Sequence, residues 1–154
     1  MTERRDPINP TTDDARALAR QVLTTARFGA LATRADPAPL VTRVAVVAAD
    51  GAPHTLVSTL SAHTQALLAD PACSILLGEP GTKGDPLTHP RMTVLARAEA
   101  ADKAAFRDTW LAAIPKARLY YDFGDFRLFR LTPVEVHLNG GFGQAFRLTP
   151  DDLR

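Results

Sequence analysis

Residues 51–69 run for nineteen positions without an ionised side chain, yet they hold His54, Thr55, Ser58, Thr59, Ser61, His63, Thr64 and Gln65. The pattern over 54–59 predicts a strand, and 61–69 reads as a short helix stopped by Asp70-Pro71. Strand therefore gives way to helix between Ser58 and Thr64. The first turn of a helix leaves N–H groups without carbonyl partners, and the helix dipole puts positive charge behind them. With three or four hydroxyls and a histidine beside it, this junction has the chemistry of a phosphate cradle. The plainer alternative is that Ser61 caps the helix and the other hydroxyls are ordinary strand residues.

Arg43 is the only charge between Asp36 and Asp50, on a Val-rich segment fit for burial. A buried guanidinium needs an anion, either a protein carboxylate or a ligand phosphate. On an edge strand its head could instead reach water. Arg91 follows a loop over 78–90 that carries three Pro and three Gly in thirteen residues, with Lys83 inside it. Loops of that kind tend to be functional or mobile. His54, His63, His89 and His137 show no metal-ligand spacing with Cys73 or with carboxylates. Ser61 and His63 lack the third orienting group of a nucleophilic triad. Gly140-Gly141-Phe142-Gly143 does not have dinucleotide-binding spacing. No residue stands out as a general acid or base.

The elements that must position these side chains follow from changes of period. Thr12 is a good N-cap, and Ala15, Leu18, Ala19, Val22, Leu23 and Ala26 recur on one helical face, predicting a helix over 12–26. Strands are predicted over 28–33, 40–48, 54–59, 73–77, 91–100, 126–131 and 134–138, with Asp50-Gly51 as a hairpin turn and a helix over 102–114. Strands and helices do not alternate regularly, so the expected class is mainly β with peripheral helices, an antiparallel barrel or strongly curved sheet. Residues 1–11 read as an N-terminal arm, 12–150 as one domain and 151–154 as a C-terminal tail.

Composition excludes several classes. Eighteen Lys+Arg against seventeen Asp+Glu leave a net charge of +1, which argues against a sequence-blind nucleic-acid binder. Fifteen of those cations are Arg, a count that a compositional bias would also give. A single cysteine excludes an intrachain disulfide and fits a reducing compartment. No apolar run approaches the roughly 18 residues of a membrane span, and the charged N-terminus has no secretory core, so a cytoplasmic protein is expected.

Three ordered segments carry a family resemblance. Arg43-Val44-Ala45-Val46-Val47 followed by Ser58-Thr59-Leu60-Ser61-Ala62-His63-Thr64, then Gly84-Asp85-Pro86-Leu87-Thr88-His89-Pro90-Arg91, then Gly140-Gly141-Phe142-Gly143-Gln144-Ala145, resemble the pyridoxamine 5′-phosphate oxidase-like split barrels, and within them the haem-utilisation branch. The resemblance spans roughly residues 12–150. It implies a six-stranded antiparallel split β-barrel that forms a homodimer with FMN at the subunit interface. It further implies that Arg43 contacts the FMN phosphate or ribityl chain, and that Val44, Ala45 and Val46 offer backbone groups to the flavin edge. Ser58 and Thr59 would line the cofactor, Ser61, His63 and Thr64 would hold its phosphate, and Arg91 would lie near the flavin. The implied activity is an oxidoreductase acting on an unidentified small molecule.

Two departures from the family pattern bear on that expectation. The oxidases carry a basic pair just after the serine, where this chain has Ala62 and His63, and their C-terminal substrate motif is replaced by RLTPDDLR. The alternative is a non-enzymatic or haem-binding module on the same barrel. Haem-utilisation relatives often carry a further C-terminal domain, for which a chain of 154 residues is expected to have no room.

Overall fold

A computed structural model describes residues 5–154; the first four residues of the expected arm lie outside the described part. The arm's short strand β1 (Ile8–Asn9) pairs in parallel with the last strand of the sheet. Helix α1 (Asp13–Thr25) begins where expected, because the Thr12 hydroxyl accepts a bond from the Ala15 N–H at 3.1 Å. Its buried Ala15, Ala19, Val22 and Leu23 form one stripe against the sheet.

Strands β2 (Phe28–Thr33) and β3 (Leu40–Ala45) form a hairpin. The chain then corners at fully buried Val46, whose N–H donates to the Arg27 carbonyl at 2.9 Å, and β4 (Val47–Ala49) follows. The single strand expected over 40–48 is therefore two, because this corner turns the chain away from β2. Asp50 and Gly51 both have positive φ, 51° and 70°, as a two-residue hairpin turn requires, and β5 (Ala52–Ser58) returns. Helix α2 (Ala62–Ala69) then packs on β2 and β3 and leads to β6 (Ala72–Leu77) and β7 (Arg91–Ala100). Helix α3 (Lys103–Ala113) is followed by a 3-10 segment, Pro115–Leu119.

The last long strand, β8 (Phe126–Asn139), joins the two strands expected over 126–131 and 134–138. Pro133, between them, is accommodated at a register shift opposite Leu95 and Ala96, which keeps the ladder continuous on both sides. Strand β9 (Ala145–Leu148) has no counterpart among the expected strands. Its four residues are too few to show a period of their own. A terminal 3-10 segment, Pro150–Leu153, lays buried Leu153 in the main core, and Arg16 on α1 donates to Asp152 at 2.7 Å.

The sheet runs β1-β9-β8-β7-β6-β2-β3, with β5 pairing to the first half of β8 and carrying β4. It is mainly antiparallel and does not close, which is the split-barrel class expected, with nine strands counting the short β1 and β4. The main core lies between the sheet and α1. A second cluster, built on Trp110, Tyr121, Leu56 and Leu128, anchors α3 and the Pro115–Leu119 segment. No helix among the described residues is long and apolar enough to cross a membrane.

Candidate functional site

Strand β5 delivers Ser58 to the rim of the sheet, and a tight turn carries the chain into α2: the Ser61 N–H donates to the Ser58 carbonyl, and the Ser61 carbonyl accepts from Thr64 and Gln65. The Ser61 hydroxyl makes no capping bond. Ala62 and His63 are the first two helical residues, so their N–H groups have no helical carbonyl to reach. Thr64 is fully buried, and its hydroxyl has no hydrogen-bond partner among the described residues. Ser58, Thr59, Ser61, His63 and Thr64 are thus brought together, as the sequence suggested, around a helix start with unspent donors.

Two residues contribute contacts at this rim that have no signal in the sequence, Asp125 being the first. The Ser58 hydroxyl donates to the Asp125 carboxylate at 2.6 Å, and the Thr59 N–H donates to the Asp125 carbonyl at 2.7 Å. Asp125 stands 67 residues from Ser58, in the turn before β8. The Ser58 proton is therefore already committed, and a carboxylate borders the helix start. Thr42 is the other: its hydroxyl lies 3.0 Å from Nδ1 of His63 and ties α2 to β3.

Arg43 is placed elsewhere. Side chains alternate along a strand, so when Thr42 turns toward α2, Arg43 turns to the opposite, outer face. There its guanidinium lies over the Phe28 ring, 5.6 Å from the centroid, beside a groove of about 400 Å³ lined by Phe28, Ala30, Leu76, Gly78 and Glu79. Within one subunit Arg43 and the α2 start do not meet. Of the segment after Arg43, Val44 and Val46 point into the core, while Ala45 accepts the Thr55 hydroxyl on its carbonyl at 2.8 Å. Arg91 also belongs to the outer face, in register with Asn139, and donates to the Leu87 carbonyl at 2.8 Å.

Register across the sheet lines up the outer face. One row reads Arg43, Ala30, Leu76, Thr93, His137 and Arg147; the next reads Val41, Ala32, Ser74, Leu95 and Glu135. Small and apolar side chains fill the middle, with Leu76 44%, Val41 62% and Val134 59% exposed. Glu135 bridges His137 and Arg147 at 3.3 and 3.2 Å.

Burial pushes the His63 imidazole below the ordinary histidine value. His54, buried and stacked on Phe106 with ring centroids 4.4 Å apart, is pushed down by burial and further by Arg130. A base whose folded-state value is depressed favours folding while it is neutral and opposes it once protonated. Stability from both histidines is therefore full above the ordinary histidine range and falls as the pH drops below it. Between about pH 7.5 and about pH 5 the melting temperature should decline, and His54→Gln with His63→Gln should flatten that slope. The lowered carboxyls of Asp70, Asp122 and Asp152 lose their contribution only under more acid conditions. Burial also raises the Cys73 thiol to about 11, which removes it as a nucleophile.

Comparison with known proteins agrees with this architecture. Residues 15–140 match the family model described as pyridoxamine 5′-phosphate oxidase. The chain is 38% identical over 103 residues, 64% of its length, to the chloroplastic non-canonical heme oxygenase HOZ of Arabidopsis thaliana, and spans 30% of the length of that curated relative. A solved structure with 47% identity superposes at a TM-score of 0.85, covering 94% of this chain and 99% of its own. The structure of a heme binding protein from Mycobacterium smegmatis is 30% identical, with a TM-score of 0.84 over 95% of this chain and 61% of its own. Sequence and fold point the same way, and the chain belongs to the pyridoxamine 5′-phosphate oxidase family.

Proposed function

We propose that this chain binds FMN as a homodimer and works as an oxidoreductase on a small molecule. The observation that carries the reading is the start of α2. The uncapped Ser61 hydroxyl and the N–H groups of Ala62 and His63 make a donor set that fits one phosphate group. These donors are neutral, and the Asp125 carboxylate borders them, so the site suits a weakly held phosphate rather than a tightly held one. Bound there, a flavin would supply the redox chemistry, and the protein's residues would bind and orient it. The homodimer is supported by the flat, apolar middle of the outer sheet face, a patch that single-chain proteins rarely leave open to water.

A second reading, haem in place of flavin, is favoured by where the cations lie. Arg43, Arg91 and Arg147 share the outer face with His137, and a face with several cations and an apolar middle suits a planar ring bearing carboxylates. Both named relatives above are, by their names, haem proteins, and their identities of 30% and 38% add weight to it.

Titration of the purified protein with each cofactor separates the two, because the cations and the helix start lie on different faces. If FMN binds at α2, Ala62→Arg adds a charged donor and should tighten it by about 1.5–3 kcal/mol, roughly 10- to 150-fold, while leaving haem unaffected. If haem is the ligand, Arg43→Ala should weaken it by a similar factor and Ala62→Arg should do nothing. FMN affinity that ignores Ala62→Arg overturns the phosphate site.

A further inference from the structure

The loop over residues 78–90 closes on itself at its neck. Gly78 has φ 104°, and a Cβ there would lie 2.6 Å from the Pro90 carbonyl oxygen, so only glycine lets the two ends touch. The second half of the loop is internally bonded: Asp85 caps the Leu87 N–H at 2.9 Å and its carbonyl accepts from Thr88. The first half is not. Among the described residues, only two hydrogen bonds reach residues 79–84, and both end on one imidazole. Nδ1 of His89 accepts the Gly81 N–H at 2.6 Å, and Nε2 of His89 lies 2.7 Å from the Lys83 carbonyl oxygen.

That pair of partners dictates the state of the ring. A carbonyl can only accept, so Nε2 carries the proton; Nδ1 faces an N–H, so it must present a lone pair. Only the neutral Nε2–H tautomer satisfies both. We propose that His89 is a proton-operated latch: when neutral it holds both Gly81 and Lys83, and a proton on Nδ1 releases Gly81 while the Nε2–H bond to the Lys83 carbonyl stays. A proton on Nδ1 sets two N–H groups against each other and removes the Gly81 bond.

The loop itself carries Glu79, Lys83 and Asp85, the Asp85 carboxylate being held by the Leu87 N–H, and Arg91 donates to the His89 carbonyl at 3.4 Å. The bend over 140–143, which approaches the Thr88 carbonyl, contributes no titratable side chain. Glu79 and Pro80, at the near end of the released segment, form one wall of the groove that holds Phe28 and Arg43. Opening the latch frees that wall of the outer-face groove. The device does not depend on which cofactor the protein binds.

Amide exchange of the whole chain at about pH 8 and about pH 5.5, corrected for the intrinsic pH dependence, tests this. Gly81 protection should fall about tenfold on acidification, the size of one lost hydrogen bond, while Leu31 and Ile75 in the core keep theirs. In His89→Ala, Gly81 should be unprotected at both pH values. Protection that is insensitive to pH, or that survives His89→Ala, overturns the latch. Nitrogen-15 shifts of the wild-type ring give a check free of folding effects. They should report the Nε2–H tautomer at about pH 8, and the Nδ1–H tautomer would overturn the proposal.

Discussion

Leu76→Glu is expected to turn the proposed homodimer into a monomer without unfolding the chain. Leu76 sits at the centre of the outer face, between Ala30 and Thr93 in the register row, and is 44% exposed in the single chain. A carboxylate there stays hydrated in the monomer, so the fold has little to lose. In a two-fold pairing of this face the substitution enters twice, once from each copy. Each unpaired buried charge costs several kcal/mol, so dimer affinity should drop by at least about 4 kcal/mol, roughly a thousandfold. Sedimentation velocity at a concentration where the wild type is dimeric reads the result directly. A Leu76→Glu protein that remains a dimer would place the interface on another surface. The same samples show whether cofactor binding needs both copies, since an outer-face ligand should be lost with the dimer and a phosphate at α2 alone should not.

The second large effect belongs to Trp110, which lies fully buried in the smaller cluster, with Tyr121 at 6.4 Å and Phe106 at 6.5 Å between ring centroids. Trp110→Ala opens a cavity that rigid neighbours on α3, β5 and β8 cannot fill, and should cost about 3–5 kcal/mol in denaturant unfolding. Trp110→Phe tells a different story. The indole N–H has no partner among the described residues, so removing it relieves a desolvated donor worth about 1–3 kcal/mol, which offsets much of the lost ring volume. The phenylalanine variant should therefore stay within about 1.5 kcal/mol of wild type. If alanine costs less than about 2 kcal/mol, the cluster repacks around the gap and does not anchor α3 as described.

How much of this could be read from the chain depends on how local each signal is. Helix α1 is legible because its cap and stripe repeat within fourteen residues, and the structure keeps Thr12, Ala15, Ala19, Val22 and Leu23 in their expected roles. The Asp50-Gly51 turn is legible because positive φ at two successive positions selects those residue types. The α2 start is legible for the same reason: strand, turn and helix lie within a few residues, so their donors converge whatever the rest of the fold does.

Arg43 shows where that reasoning stops. Its isolation in an apolar run suggests a buried guanidinium facing an anion, or an edge-strand head reaching water. The side chain is exposed on edge strand β3, and a strand's period of two cannot say which face is the core. The fold answers that through Thr42, which turns toward His63 and so sends Arg43 outward over Phe28. Asp125 lies beyond any sequence rule, since its bond to Ser58 depends on β8 pairing with β5 across 67 residues.

Most of the elements, the class of fold and the helix start are thus legible in the chain alone, because each rests on interactions among near neighbours; β9 and the break between β3 and β4 are not. Which side chains share a face comes from the assembled sheet. It set Arg43 apart from the start of α2, placed a carboxylate beside that helix start, aligned one outer face across six strands, and, among the described residues, tied residues 79–84 only through two bonds to His89. Those outcomes depend on strand register and loop closure, which are set by the packing of the whole sheet and are not encoded in any one segment.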